Sequence, residues 1–144
     1  MSDIKLGVTL YSFSTEYCKG EMSLEDCIAK AKQLGAEGFE IVATQMIPSY
    51  PAISDTFLGE FDAICRHYDM EPICYGANMD KGLYSNRSLS DDEMIQMAIQ
   101  DIKNAHKMGC KVIREQYLIG PENFVKLAPY AEAYDVKVGI EIHN

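Results

Sequence analysis

Lys137-Val138-Gly139-Ile140-Glu141-Ile142-His143-Asn144 is the stretch whose reading decides the fold. Its polar and apolar residues alternate with period two, as in a β-strand, so Glu141 and His143 share one face while Val138, Ile140 and Ile142 share the other. A wholly aliphatic face belongs against a layer of helices. The opposite face then carries a carboxylate and an imidazole into a lumen or cleft at the carboxyl end of the strand, which is what a metal-assisted site in a parallel β/α protein needs. The competing interpretation, a surface salt bridge on a strand lip, does not account for the unbroken aliphatic side.

Upstream of this strand the same kind of unit repeats. Strand-like runs at 5–11, 38–43, 72–77 and 111–115 alternate with four helical patterns, which predicts right-handed βαβ units and a parallel sheet. The first helix opens at Ser23, an N-cap followed by Glu25 and Asp26, and stops at Gly35. Ser54-Asp55 opens the second, with Phe57, Phe61, Ile64, Cys65 and Tyr68 along one face. Ser90-Asp91-Asp92-Glu93 is a capping box for the third, whose stripe of Ile95, Ala98, Ile99, Ile102, Ala105 and Met108 ends at Gly109. The fourth starts near Pro121 and contains Pro129, which predicts a kink or restart. The chain thus reads as one β/α domain over residues 1–144.

With 13 basic and 22 acidic residues among 144, the formal charge of −9 argues against nucleic-acid phosphates and anionic membranes as partners. Residues 1–5 show no signal-peptide pattern, and no apolar run approaches the roughly 20 residues needed to cross a bilayer, so a cytoplasmic location is expected. The five cysteines are scattered without a C-x-x-C pair and read as reduced thiols. Cys27 and Cys65 fall on apolar helical faces, Cys18 in a loop. His67 and His106 lie among polar helix residues and should face solvent.

Helix-to-strand joints are tight, whereas strand-to-helix joints at 44–51 and 78–89 are long. Long loops on the carboxyl side of the strands put function on that face. Tyr11, Glu40, Asn78 and Gln116 are the substrate-lining candidates there, with Tyr84 and Arg87 from the third loop. Glu40 has two readings, contact with substrate or pairing with a neighbouring barrel residue. On the fourth strand the parity is open: either Arg114 or Glu115 faces inward.

The opening Gly7-Val8-Thr9-Leu10-Tyr11-Ser12-Phe13, the Leu34-Gly35-Ala36-Glu37-Gly38-Phe39-Glu40 join and the Gly139-Ile140-Glu141-Ile142-His143 strand together resemble the first half of the xylose-isomerase-like sugar isomerase/epimerase superfamily. That resemblance implies a (β/α)8 TIM barrel, of which this chain supplies roughly the first five strands and four helices. It also implies that Glu141 is the first ligand of a divalent metal, Mn or Mg foremost, with further ligands on later strands. Glu141-Ile142-His143-Asn144 with the preceding Arg114-Glu115-Gln116-Tyr117 is further similar to the α-subunits of bacterial C-glycoside deglycosidases. This implies a lyase acting on 3-oxo-glycosides, His143 as general base, and a smaller β-sandwich subunit in a hetero-oligomer. A sugar or keto-sugar isomerase/epimerase using the same metal is the runner-up, and a non-catalytic half-barrel interaction module the third reading. A barrel of this kind takes roughly 250 residues, so the sequence is expected to be part of a longer polypeptide, inactive without the remainder.

Overall fold

The computed structural model describes residues 4–78, 81–82, 84–116 and 120–142. Strand β1 (Gly7–Thr9) runs into a 3-10 turn over Leu10–Phe13 and a short helix α1 (Ser14–Cys18). Helix α2 (Leu24–Gln33), strand β2 (Gly38–Val42), a one-turn helix α3 (Ala43–Met46) and helix α4 (Asp55–Tyr68) follow. Then come β3 (Glu71–Asn78), α5 (Asp91–Lys107), β4 (Val112–Gln116), α6 (Pro121–Phe124), a 3-10 turn over Val125–Leu127, α7 (Ala128–Ala133) and β5 (Lys137–Glu141). The five strands form one parallel sheet in the order β1-β2-β3-β4-β5.

The helix starts follow from their caps. Ser23 and Ser90 each accept the N3 amide, and Asp26 and Glu93 return a carboxylate to the cap amide, so both α2 and α5 open with a reciprocal capping box. Ser54 accepts the Phe57 amide to open α4. Pro129 does restart the fourth helical segment: α7 begins at Ala128 with the proline in its first turn, where a missing amide donor costs nothing. Two element boundaries need correction. The first strand is shorter than the run 5–11, because Thr9 turns its hydroxyl onto the Tyr11 amide and caps a 3-10 turn. The loop beginning at Thr44 opens as helix α3.

The core lies between the sheet and the helices. Phe39 meets Phe61 of α4 edge-on at 5.9 Å, and Ile41, Tyr75 and Ile113 are completely buried on the same outward face. Cys27, Cys65 and Cys110 are buried, and Cys18 is exposed, as the last residue of helix α1 and not in the loop expected for it. Both His67 and His106 are exposed on their helices. The pairing of β2 with β3 slips between Phe39 and Glu40, where Ile73 is the extra residue. The slip turns Ile73 into the lumen, where its methyl groups occupy the space that a Cβ on Gly7 or Gly38 would take, at 2.9 and 2.8 Å. No helix among the described residues is long and apolar enough to cross a membrane.

Candidate active site

Register carries the inward parity from strand to strand. Thr9 pairs with Glu40 and Glu40 with Cys74; Gly76 pairs with Arg114, and Asn78, Gln116 and Glu141 stand in line across β3, β4 and β5. Neighbours in a parallel sheet share a face, so Thr9, Glu40, Cys74, Arg114, Asn78 and Glu141 line the concave side, with the Gln116 backbone in register between the last two. This settles β4: Arg114 turns inward and Glu115 outward.

Arg114 is the hub. Its Nε donates to Oε2 of Glu40 and its Nη2 to Oε1, both at 2.7 Å, a two-pronged ion pair. Nη1 of the same guanidinium contacts Oε2 of Glu141. Thr9 donates its hydroxyl to Oε1 of Glu40 at 2.7 Å, and the Cys74 thiol approaches Oε2 at 3.4 Å. Burial by itself would raise the Glu40 carboxyl, but the hydrogen bonds from Arg114 and Thr9 outweigh it and hold the acid below its ordinary value. The same burial, with the Glu40 charge beside it, pushes the Cys74 thiol up to about 12, so it is a neutral donor and not a thiolate. Gly76 makes the arrangement possible, since a Cβ there would lie 3.1 Å from Nη2 of Arg114 and 3.2 Å from Oε1 of Glu40.

Glu141 sits at the carboxyl end of β5 with about a third of its side chain exposed (31%) to the lumen. Asn78, at the same level two strands away, has a buried amide oxygen with no partner among the described residues. Gln116 is placed between them by its backbone pairing. Tyr11 lies within the 3-10 turn after β1 and is 61% exposed. His143 lies outside the described residues. In the third loop, Arg87 forks onto Glu93 at 2.7 and 2.8 Å and stacks its guanidinium 5.0 Å from the Tyr84 ring centre, which ties both to the start of α5.

A second polar cluster lies on the outward side of the sheet, and the sequence reading passed over it. Asp101 of α5 accepts from Tyr75 at 2.8 Å and Tyr50 at 3.0 Å, while Asn104 donates to the Pro51 carbonyl at 2.8 Å. Glu115 is buried beside this group with neither carboxylate oxygen partnered among the described residues. Desolvation raises Asp101 to about 7 despite its two tyrosine donors, and raises Glu115 to about 8, helped by the Asp101 charge. The signal was legible: Asp101 and Asn104 interrupt the apolar stripe of α5 at helical spacing, which marks polar residues that must find partners inside.

The matrix of residues on the concave face is an oxygen-rich, half-open site at the strand ends of a β/α sheet. Residues 28–144 match the model of the xylose isomerase-like TIM barrel. The chain belongs to that family. Among curated relatives it is 36% identical over 142 residues to the 3'-dehydrocarminate deglycosidase alpha subunit of Microbacterium sp, covering 97% of this chain and 40% of the relative. It is 35% identical to the C-glycoside deglycosidase alpha subunit of Microbacterium trichothecenolyticum, covering 95% of this chain and 38% of that one. The chain therefore spans about two-fifths of the length of these relatives. In fold it superposes on the IOLI protein, solved with a bound zinc atom, with a TM-score of 0.68 at 14% identity, covering 95% of this chain and 51% of the other. Five parallel strands in sequential order with helices outside make this xylose isomerase-like chain about half of a TIM barrel.

Does a divalent cation fit what is present? Glu141 brings a hard carboxylate to the lumen, and the Asn78 amide oxygen, without a partner among the described residues, lies on the same face, a donor chemistry suited to Mg or Mn. Among the described residues no cluster of three or more His, Cys, Asp or Glu is assembled, so what is present fits part of a cation's ligand shell and not the whole of it.

Proposed function

We propose that residues 1–144 form the N-terminal part of the barrel of a metal-dependent, C-glycoside-cleaving lyase subunit acting on 3-oxo-glycosides. The observation that carries this reading is Glu141: an inward carboxylate at the mouth of the fifth strand, in a chain whose relatives bear the name C-glycoside deglycosidase alpha subunit. Glu141 would hold the cation, Mn or Mg. When bound, the cation supplies Lewis-acid stabilisation for negative charge developing on the ketone oxygen at sugar C3. His143, two residues on and of the same parity, takes the proton from C2 as general base. Collapse of the resulting charge by β-elimination then forms a C1=C2 double bond in the sugar and breaks the glycosidic C–C bond, its electron pair leaving on the aglycone carbon, which takes up a proton from solvent. Asn78 has an acceptor oxygen, without a partner among the described residues, with which to receive a sugar hydroxyl, and the backbone of Gln116 and the 3-10 turn that bears Tyr11 lie around the same rim. The relatives' designation as alpha subunits supports a partner, which we take to be a smaller β-sandwich subunit.

A second reading follows from the family itself. If the carbanion formed at C2 is reprotonated before the aglycone leaves, the product is an epimer or isomer, the outcome that a xylose isomerase-like barrel suggests. Incubating the intact protein and its partner subunit with a 3-oxo C-glucoside in deuterated water separates the two. Aglycone release supports the lyase; deuterium at C2 of the sugar without release supports the epimerase; neither event overturns both. In the same assay His143→Ala should abolish exchange at C2 while Mn2+ remains bound, whereas Glu141→Ala should weaken Mn2+ binding itself.

A further inference from the structure

Glu141 belongs to a chain of hydrogen bonds that crosses the whole sheet. Thr9 on β1 donates to Glu40 on β2; Cys74 on β3 donates to the same carboxylate; Arg114 on β4 clamps it with two prongs and extends its remaining nitrogen to Glu141 on β5. The carboxylate of Glu40, 8% exposed, has both oxygens taken up by this network. A guanidinium gripped through Nε and Nη2 cannot rotate, so the direction of its Nη1 is set by Glu40 and not by Glu141. The absence of a side chain at Gly76 leaves the slot through which Arg114 reaches Glu40.

We infer that Arg114, oriented by Glu40, is the positioning residue for Glu141: it holds the carboxylate in one place at the strand end before a cation arrives. The inference rests on the proposed role of Glu141 as a ligand. Loss of such an outer contact typically costs roughly 10–100-fold in metal affinity.

The test is Mn2+ affinity of the intact protein, read from the electron paramagnetic resonance of free Mn2+. Two variants keep the net charge of the Glu40–Arg114–Glu141 group unchanged, so electrostatic attraction for the cation stays constant while the clamp is lost. Arg114→Lys keeps the positive charge but cannot fork, and the double variant Arg114→Met/Glu40→Gln removes one charge of each sign. Each is expected to bind Mn2+ roughly 10–100-fold more weakly than the parent, with unchanged far-ultraviolet circular dichroism. Parental affinity in Arg114→Lys overturns the inference, as does parental affinity in the double variant, which would leave Arg114 as a charge balance only. Glu141→Ala is the separate control. If it binds Mn2+ as tightly as the parent, the ligand role itself fails; if it loses Mn2+ while both clamp variants retain it, only the positioning role fails.

Discussion

At Gly76 a single hydrogen atom in place of a methyl group decides whether the site can form. An alanine Cβ would press on the Ile41 carbonyl and Arg114 Nη2, both at 3.1 Å, and on Glu40 Oε1 at 3.2 Å. Two of these belong to a charge pair whose geometry must be kept, and the third is backbone, so none can yield cheaply. Gly76→Ala is expected to destabilise the protein by roughly 1–3 kcal/mol, as overpacking of a filled interior does, and to lower Mn2+ affinity along with it. Thermal denaturation of the purified variant checks the first part; an unchanged melting temperature would mean that Arg114 has another route to Glu40. Glu40 itself shows where residue-level reading reaches its end. Its place among the lining residues was expected, with contact to substrate and pairing with a barrel neighbour as its two readings; the neighbour it pairs with came from another strand, 74 positions along the chain.

At the scale of elements, β4 carries the most information. Arg114 and Glu115 are adjacent and both charged, so they must face opposite sides of the sheet, and period two alone is symmetric between the two choices. Pairing of Gly76 with Arg114 and of Ala77 with Glu115 breaks the symmetry: the inward side has Glu40 placed to take both prongs of the arginine and a missing side chain to admit it. Glu115 is left in the helix layer against Asp101 and Tyr50, held neutral by desolvation up to about pH 8. A folded-state value raised above the ordinary carboxyl value of 4.5 means the unfolded chain releases its proton first. Stability is therefore greatest below that value, falls as pH rises, and levels off above about 8, by up to roughly 1.4 kcal/mol for each pH unit of the window. Asp101, raised to about 7, adds a slope of the same sign. Replacing Glu115 by Gln should flatten the profile of unfolding free energy between pH 5 and 8 and make the variant the more stable protein at pH 8. Urea titrations across that range measure it; parallel profiles for parent and variant would show Glu115 to be ionised in the folded state.

The whole molecule is a run of sequential parallel strands with an outward face still in part uncovered: Ile140 on β5 is 53% exposed. Half of a ring brings Glu141 and the Arg114–Glu40 pair to one lumen face, while the relatives it matches are more than twice its length. If the alpha-subunit reading is right, aglycone release by the intact protein should fall to background when the partner subunit is left out and return on its addition. Full activity of the isolated chain would remove the partner from the mechanism.

The alternation of strands and helices, the capping boxes at Ser23 and Ser90, the restart at Pro129 and the inward parity of Glu141 were all determined by local sequence, because each depends on residues within one turn or one strand of the other. The facing of Arg114, the clamp on Glu40, the turn of Ile73 into the lumen and the buried acid pair on the helix side were decided only by tertiary structure. Their reason is common: each depends on which side chain, or which missing side chain, the neighbouring strand or helix brings alongside, and that register is a property of the assembled sheet.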